Sequence, residues 1–342
     1  METQKQKPAG KSTKGTVFLA VKLTVKFFLV TVAFTAAIVL AFFGYSAVKR
    51  QQFAKTVENW SKHEPESGEK YRLLEPDRNM YPEENYALIV WLHGAGESGK
   101  DNVRQLQAEP LKNMEKDEIQ SMFNGVYVCA TQADRVHDCE KIMRSIEDVL
   151  ENHKDIDRSR IYIGGVSQGG LYTYAMALRY PDFFAAAFPV AAPAIVEEQE
   201  ICLEVGDKAE YRGDAGALRD LPVYLVHCVK DESVSAACSV DMYRLLREEG
   251  NENVHLTLFD STGNDQQVLA PHDMAENVLM NFPTSDGTGG FVENFFEGDS
   301  LKVIKAWVGN HEPDEEIENV VSELPPDFGY ETFFEWLAAQ KK

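Results

Sequence analysis

Basic residues are scarce in this chain of 342 residues, and their scarcity excludes whole classes of function. The chain has 34 Lys and Arg against 55 Asp and Glu, which gives a net charge of −21 at pH 7. Six of the lysines lie in residues 1–26 with a single acid, so 28 basic residues stand against 54 acidic ones from residue 49 onward. Such an acidic body repels nucleic acids and other anionic polymers. We therefore expect no nucleic-acid partner.

Metal and phosphate sites lack their usual signals as well. No two His or Cys residues stand at the spacing of metal ligands. The glycine-rich turn at residues 93–96 lacks the Lys-Ser/Thr ending of a phosphate-binding loop. We therefore expect no metal and no cofactor.

Cysteine is sparse, with five residues: Cys129, Cys139, Cys202, Cys228 and Cys238. An odd number is unusual for an exported domain, and the spacings fit no metal motif. Cys129 and Cys228 fall in strand-like apolar runs, where a buried thiol is the usual case. One or two disulfides are the alternative, and the sequence does not choose among their pairings.

One long apolar run is present near the N-terminus. Residues 27–48 contain no charge, and at 1.5 Å per residue they can cross a bilayer core of about 30 Å. Six lysines precede the run and three basic residues follow it by residue 55, so the positive-inside rule places the N-terminus in the cytoplasm and the acidic body outside. We predict an uncleaved signal anchor. The competing interpretation, a cleaved signal peptide, rests on the small residues Gly44 and Ser46.

After a polar stretch at residues 49–69, interpreted as a stalk, strand-length apolar runs alternate with helical patterns. The first strand is expected to start at Tyr71. Further strands are predicted at 86–92, 126–130, 161–166, 184–190, 223–228 and 254–259, and helices at 139–153, 171–180 and 240–249. Buried strands that alternate with helices indicate a mostly parallel sheet, here of about eight strands, covered on both faces.

The most informative stretch is residues 161–170, Ile-Tyr-Ile-Gly-Gly-Val-Ser-Gln-Gly-Gly. A β-branched, aromatic strand leads directly into Gly165-x-Ser167-x-Gly169, and a helical pattern follows at once. This order of strand, tight turn and helix is typical of a nucleophile elbow, in which the serine hydroxyl projects above the sheet. The glycines are needed because side chains at their positions would collide with the neighbouring strand and helix. Ser167 is therefore the predicted nucleophile.

Several stretches together resemble one family; they are WLHGAGESGKDNVRQL, DIDRSRIYIGGVSQGG, ALRYPDFFAAAFPVAA, PVYLVHCVKDESV and FFEWLAAQKK. The family is the exported esterase and predicted-peptidase group of α/β-hydrolases, which includes feruloyl and acetyl-xylan esterases and relatives of polyhydroxybutyrate depolymerases. The likeness covers residues 70–272 and the last ten. It implies an α/β-hydrolase fold and a Ser-His-Asp triad in the chain order Ser, Asp, His.

A serine nucleophile needs a base and an acid to orient that base. Of the eight histidines, His272 opens a helix after the last predicted strand and corresponds to the family's histidine. Asp231, in the loop after the strand at 223–228, matches the family's acid. Asp260, at the end of the next strand, is the main rival. The sequence departs from the family at Cys228, where the family often has glycine.

The oxyanion hole needs two backbone N–H groups that point at the developing alkoxide. The residue after the nucleophile, Gln168, supplies one. The other is expected from the turn His93-Gly94-Ala95-Gly96, and the family match points to Ala95. Together with Gly165 and Gly169, these residues complete the predicted site.

A second departure from the family is the segment of about 283–328, which separates His272 from the C-terminal Trp-Leu helix. It contains Gly287–Gly290, an acidic run, Trp307 and several phenylalanines. Two interpretations are equally consistent with this composition. The segment forms a lid or extra wall near the active site, or it packs on the far side of the domain.

These features predict four regions: a basic cytoplasmic N-terminus (1–26), a membrane anchor (27–48), a stalk (49–69) and an α/β-hydrolase domain (70–342). The expected function is a membrane-anchored, extracytoplasmic serine hydrolase of carboxylic esters. Acetyl or feruloyl esters of plant polysaccharide fit an exported enzyme best. The alternatives are a serine peptidase of the same fold and a catalytically silent binding or scaffold protein of the envelope.

Overall fold

The computed structural model describes residues 51, 53–197, 200–205, 209–228, 231, 233–259, 329–330 and 332–342. The chain divides into two units, residues 1–55 and 56–342, and the second contains all of the strands described below. The predicted anchor, Asp260, His272 and the segment 283–328 lie outside the described residues. Within those residues, no helix has the length and apolar character needed to cross a membrane.

The described part of the chain forms eleven strands. They are β1 Ser61–His63, β2 Lys70–Leu74, β3 Tyr86–Leu92, β4 Val126–Gln132, β5 Ile156–Val166, β6 Ala186–Val190, β7 Ile195–Glu197, β8 Glu200–Val205, β9 Ala209–Asp214, β10 Val223–Cys228 and β11 Val254–Phe259. Eight of them form one sheet in the order β1-β2-β4-β3-β5-β6-β10-β11. The pairs β1–β2 and β2–β4 are antiparallel, and the other five are parallel. The predicted sheet of about eight mostly parallel strands is confirmed.

Seven helices are described along the same ranges. They are α1 at 53–59, α2 Glu109–Met114, α3 Asp117–Met122, α4 Cys139–Asn152, α5 Gln168–Arg179, α6 Ala237–Glu248 and α7 Phe333–Ala339. The predicted helices at 139–153, 171–180 and 240–249 correspond to α4, α5 and α6. The α4 helix begins where the Asp138 carboxylate accepts the N–H groups of Glu140 and Lys141, which satisfies two N-terminal donors.

The sheet begins earlier in the chain than the sequence predicts. The first strand was expected at Tyr71, but Ser61–His63 already pairs with β2 as an antiparallel edge strand. Ser61 and Lys62 are exposed, so β1 carries no apolar alternation that would reveal it. The preceding Trp60 is buried and packs within the domain.

A second, three-stranded antiparallel sheet, β7-β8-β9, lies between β6 and β10 in the chain. The sequence pattern does not predict it. Its strands are three to six residues long and rich in charged residues, so they resemble loop sequence.

The core of the domain lies along the central parallel strands. All residues of β3 and β10 are buried, as expected for strands covered on both faces. The C-terminal α7 helix closes one side: Phe333 packs edge-on against Phe188 and Tyr224 at 5.5 and 5.3 Å between ring centroids. All five cysteines are buried thiols, which settles the alternative left open by the sequence.

Candidate active site

The residues predicted to form the site follow the carboxyl ends of three parallel strands. His93 comes after β3, Ser167 after β5 and Asp231 shortly after β10. Carboxyl ends of parallel strands lie at one edge of a sheet, where open α/β sheets bind their ligands. Backbone hydrogen bonds connect this edge: Ser167 N–H donates to the Val190 carbonyl at 2.9 Å, and Ala191 N–H donates to the Val226 carbonyl at 2.8 Å.

Ser167 occupies a strained turn between β5 and α5. Its φ and ψ are 55° and −116°, a conformation that non-glycine residues rarely adopt. Such strain costs on the order of 1–3 kcal/mol and persists only where the surroundings enforce it. Here the Ser167 N–H is held by Val190, and its carbonyl accepts the N–H of Leu171 at 3.0 Å. This geometry is that of the predicted nucleophile elbow.

The glycines of the elbow are required by close packing against β3. A β-carbon on Gly165 or on Gly169 would overlap the carbonyl oxygen of Leu92. Because backbone atoms of a central strand cannot move aside, neither position has room for a side chain. The elbow and the carboxyl end of β3 are therefore in direct packing contact.

The turn after β3 lies beside the elbow. Residues 95–97 form one turn of 3-10 helix, with Gly94 as the preceding residue. A β-carbon on Gly94 would lie 3.5 Å from the Val166 side chain and 3.6 Å from the Val166 carbonyl oxygen.

Ala95 begins the 3-10 turn and Gln168 begins α5, and the first N–H groups of a helix have no partner within it. The two predicted oxyanion donors thus belong to adjoining segments, whereas Gly96 stands in open space.

The His93 side chain is fully buried and stabilises this turn. Its Nε2 accepts the Ala133 N–H at 3.0 Å, so the proton lies on Nδ1, which donates to the Gly94 carbonyl at 2.5 Å. Burial, followed by the neighbouring His137, lowers the pKa of His93 to about 3. The ring is therefore a neutral structural element.

Asp231 is a buried carboxylate fixed by its own loop. Its Oδ1 accepts the N–H groups of Ser233 and Val234 at 2.8 and 2.9 Å, and its N–H donates to the Cys228 carbonyl at 3.1 Å. Charge-assisted hydrogen bonds from backbone N–H groups are strong and orient a carboxylate. The larger Cys228, in place of the family's glycine, is accommodated as a buried residue.

His227 contributes to this loop, a role that the sequence analysis did not assign. Its Nε2 donates to the Val234 carbonyl at 3.0 Å and lies 3.4 Å from Asp231 Oδ2. Its Nδ1 lies 2.7 Å from the Ser239 hydroxyl, which can donate to it. The signal in the sequence was a polar residue in an otherwise apolar buried strand. His227 thus ties the loop of Asp231 to α6.

His272, the predicted base, lies outside the described residues, as does Asp260, the rival acid. The described residues contain no group of three or more His, Cys, Asp or Glu side chains that could hold a metal ion.

Comparison with known proteins gives partial matches. The profile of the prolyl oligopeptidase family matches residues 131–201, from the end of β4 into β8. Poly(3-hydroxyalkanoate) depolymerase C of Paucimonas lemoignei is 44% identical over 50 residues, which are 15% of this chain and 12% of the depolymerase. The second match leaves most of the depolymerase without a counterpart in this chain.

Among solved structures, a thermostable esterase matches with a TM-score of 0.54 and 24% identity, over 66% of this chain and 61% of that protein. An acylaminoacyl peptidase of Pyrococcus horikoshii is also similar, with a TM-score of 0.44 and 17% identity over 66% of this chain and 41% of the peptidase. The chain thus spans less than two thirds of either protein. The sheet order, the elbow and the likeness to the esterase give this chain the α/β-hydrolase fold.

Proposed function

We propose that this protein is a serine hydrolase that cleaves carboxylic esters through an acyl-enzyme. The observation that carries the proposal is the strained conformation of Ser167 at the junction of β5 and α5. Strain at a serine between a buried strand and a helix N-terminus has no structural benefit of its own, but it aims the hydroxyl away from the sheet. The depolymerase and esterase similarities support ester chemistry.

In the proposed reaction, Ser167 attacks the ester carbonyl while His272 accepts its proton. The Asp231 carboxylate orients His272 and stabilises the imidazolium. The N–H groups of Ala95 and Gln168 stabilise the tetrahedral oxyanion. His272 then returns the proton to the leaving alcohol, and water activated by the same histidine releases the acid.

A fluorophosphonate probe tests the nucleophile directly. The wild-type protein should be labelled at Ser167 and should hydrolyse p-nitrophenyl acetate, whereas Ser167→Ala should lose labelling and ~10⁴-fold or more of kcat. An unlabelled wild-type protein, or equal labelling of Ser167→Ala, would mean a catalytically silent binding or scaffold protein. Methyl ferulate, acetylated xylan and p-nitrophenyl esters of different chain length would then define the acyl group.

A peptidase is the second candidate, because the prolyl oligopeptidase profile matches residues 131–201, which include the elbow. The same triad would cleave amides. Peptide p-nitroanilides and N-acetylated peptides, compared with esters of the same acyl group, distinguish the two. A kcat/KM for any peptide above that for all the esters would favour the peptidase.

We also propose that residues 27–48 anchor the protein and hold the acidic domain outside the cytoplasm. The uncharged run and the lysines that precede it support this topology. Protease added to intact cells should remove the hydrolase domain and leave an N-terminal epitope protected. Protection of both ends would contradict the topology, and an N-terminus beginning after residue 46 would indicate a cleaved signal peptide.

A further inference from the structure

A buried, hydrogen-bonded pair of ionisable side chains, Glu69 and His137, contacts the turn after β3. His137 Nδ1 lies 2.8 Å from Glu69 Oε2, and the side chains are 0% and 3% exposed. The other Glu69 oxygen accepts the Asp138 N–H at 3.0 Å, and the Glu69 carbonyl accepts the Ser145 hydroxyl at 2.8 Å. Burying two ionisable groups requires compensation by precise partners, so this pair needs an explanation.

The second nitrogen of His137 reaches the active-site turn. His137 Nε2 lies 3.2 Å from the His93 carbonyl oxygen. A carbonyl oxygen can only accept, so Nε2 carries a proton and donates it to this hydrogen bond. The second contact, between Nδ1 and the Glu69 carboxylate, then fixes the orientation of the ring.

The two histidines together hold two consecutive peptide groups. His137 fixes the carbonyl of the peptide between residues 93 and 94, and His93 Nδ1 fixes the carbonyl of the next peptide, that of Gly94. In a planar trans peptide the C=O and the N–H point in opposite directions. Fixing the Gly94 carbonyl therefore fixes the direction of the Ala95 N–H, the proposed oxyanion donor.

His137 also contacts the helix that carries the other donor. Its ring packs against that of His93 at 4.3 Å and edge-on against Tyr172 of α5 at 5.5 Å between centroids. A single buried side chain thus contacts both the turn of Ala95 and the helix that begins at Gln168. Glu69, His93 and Tyr172 are thus titratable groups in contact with it.

We infer that Glu69 and His137 are positioning residues of the oxyanion hole. Through their contacts with His93 they hold the Ala95 N–H so that it points at the developing oxyanion. The inference rests on the proposed serine hydrolase function. Preorganised donors act chiefly on the transition state, so their misplacement lowers kcat more than it raises KM. Neither residue touches the substrate.

Two substitutions of His137 separate its two hydrogen bonds. The amide nitrogen of His137→Gln corresponds in position to Nε2 and can still donate to the His93 carbonyl. That of His137→Asn corresponds to Nδ1 and retains only the contact with Glu69. We expect His137→Asn to lower kcat for p-nitrophenyl acetate about 10- to 100-fold with KM within about twofold, and His137→Gln to recover most of the loss.

A transition-state analogue gives an independent readout. An aryl trifluoromethyl ketone forms a tetrahedral adduct with the serine. Its Kd should rise in His137→Asn by about the factor by which kcat falls. Glu69→Gln keeps one acceptor for the imidazole and should give an intermediate loss in both. If His137→Asn fails to fold, as judged by near-UV circular dichroism, the kcat and the Kd of His137→Gln and Glu69→Gln are compared instead.

Matched controls come from the same domain. His255→Gln replaces another buried histidine, and Glu75→Gln replaces a carboxylate that is 46% exposed and lies 4.0 Å from His153 Nδ1. Both should keep kcat within about twofold. The inference is overturned if His137→Asn keeps wild-type kcat, if its loss lies in KM, or if His137→Gln and His137→Asn are equally impaired. Activity that persists in Ser167→Ala would instead overturn the proposed function and, with it, this inference.

Discussion

Gly169 and Leu92 approach each other so closely that a β-carbon at residue 169 would overlap the Leu92 carbonyl oxygen. The contact joins the first turn of α5 to the end of β3. The elbow of Ser167 therefore packs directly against β3, the strand that leads into the turn of Ala95. One glycine thus determines how near the proposed nucleophile can lie to its oxyanion donor.

Gly169→Ala should therefore destabilise the domain by about 3 kcal/mol, the upper end of the range for overpacking, because the opposing atoms are backbone. Chemical unfolding in urea measures this change. Gly96→Ala is the matched control, since no atom lies within 4 Å of the added β-carbon and its free energy of unfolding should change little. Equal stability of the two variants would contradict the packing account.

The elbow could be predicted from the sequence because its determinants are local. A buried strand, two glycines around a serine and a helical pattern occupy adjacent positions, and β10 and β11 match their predicted bounds for the same reason. Asp231 is predicted as the acid from its place after β10 and from the family resemblance, and that role stays a prediction; the structure adds the two N–H groups that hold its carboxylate.

The contacts of Glu69 and His137 with the turn after β3 could not be predicted in this way. Glu69 and His137 are 68 positions apart, and each stands in a polar stretch without periodicity. His137 also precedes the elbow in the chain, so its position does not link it to the nucleophile. Only the fold, which places the start of β2 beside the loop after β4, brings the pair together. The edge strand β1 and the β7–β9 sheet escaped prediction because short, polar strands carry no apolar pattern.

The identity of the catalytic acid can be tested with two isosteric substitutions. Asp231→Asn can still accept the N–H groups of Ser233 and Val234 through its amide oxygen, so the loop should keep its geometry. Without the carboxylate the histidine loses its orienting charge, and kcat should fall by about 10⁴. Ester hydrolysis at saturating substrate measures the change. Asp260→Asn should stay within about twofold, and a larger loss there would transfer the role to Asp260.

The stability of the folded domain should depend on pH through two buried histidines. Burial lowers the pKa of His93 to about 3; burial, together with the Arg247 charge, lowers that of His255 to about 4, against an ordinary value of 6.5. Below pH 6.5 the unfolded chain therefore binds protons that the folded chain does not. The free energy of unfolding should fall as the pH drops from 6.5 toward 4, by at most about 1.4 kcal/mol per pH unit for each histidine.

Urea unfolding between pH 4 and 8 measures this slope, and His255→Phe isolates one contribution. The variant should lose stability less steeply than the wild type between pH 6.5 and 4, and the two slopes should coincide above pH 6.5. Identical slopes throughout would mean that His255 is protonated equally in both states.

The C-terminal helix should be essential to the stability of the domain. Trp336 is 1% exposed on α7, and its ring lies 5.1 Å from that of Tyr224 in the buried strand β10. The Tyr162 hydroxyl donates to the Gln340 carbonyl at 2.9 Å. Trp336→Ala removes a large buried ring and leaves a cavity, so the free energy of unfolding should fall by about 3–5 kcal/mol. Met80→Ala, which shortens a side chain that is 53% exposed, should change it by no more than about 0.5 kcal/mol. Similar unfolding midpoints for the two variants would show that α7 is dispensable to the core.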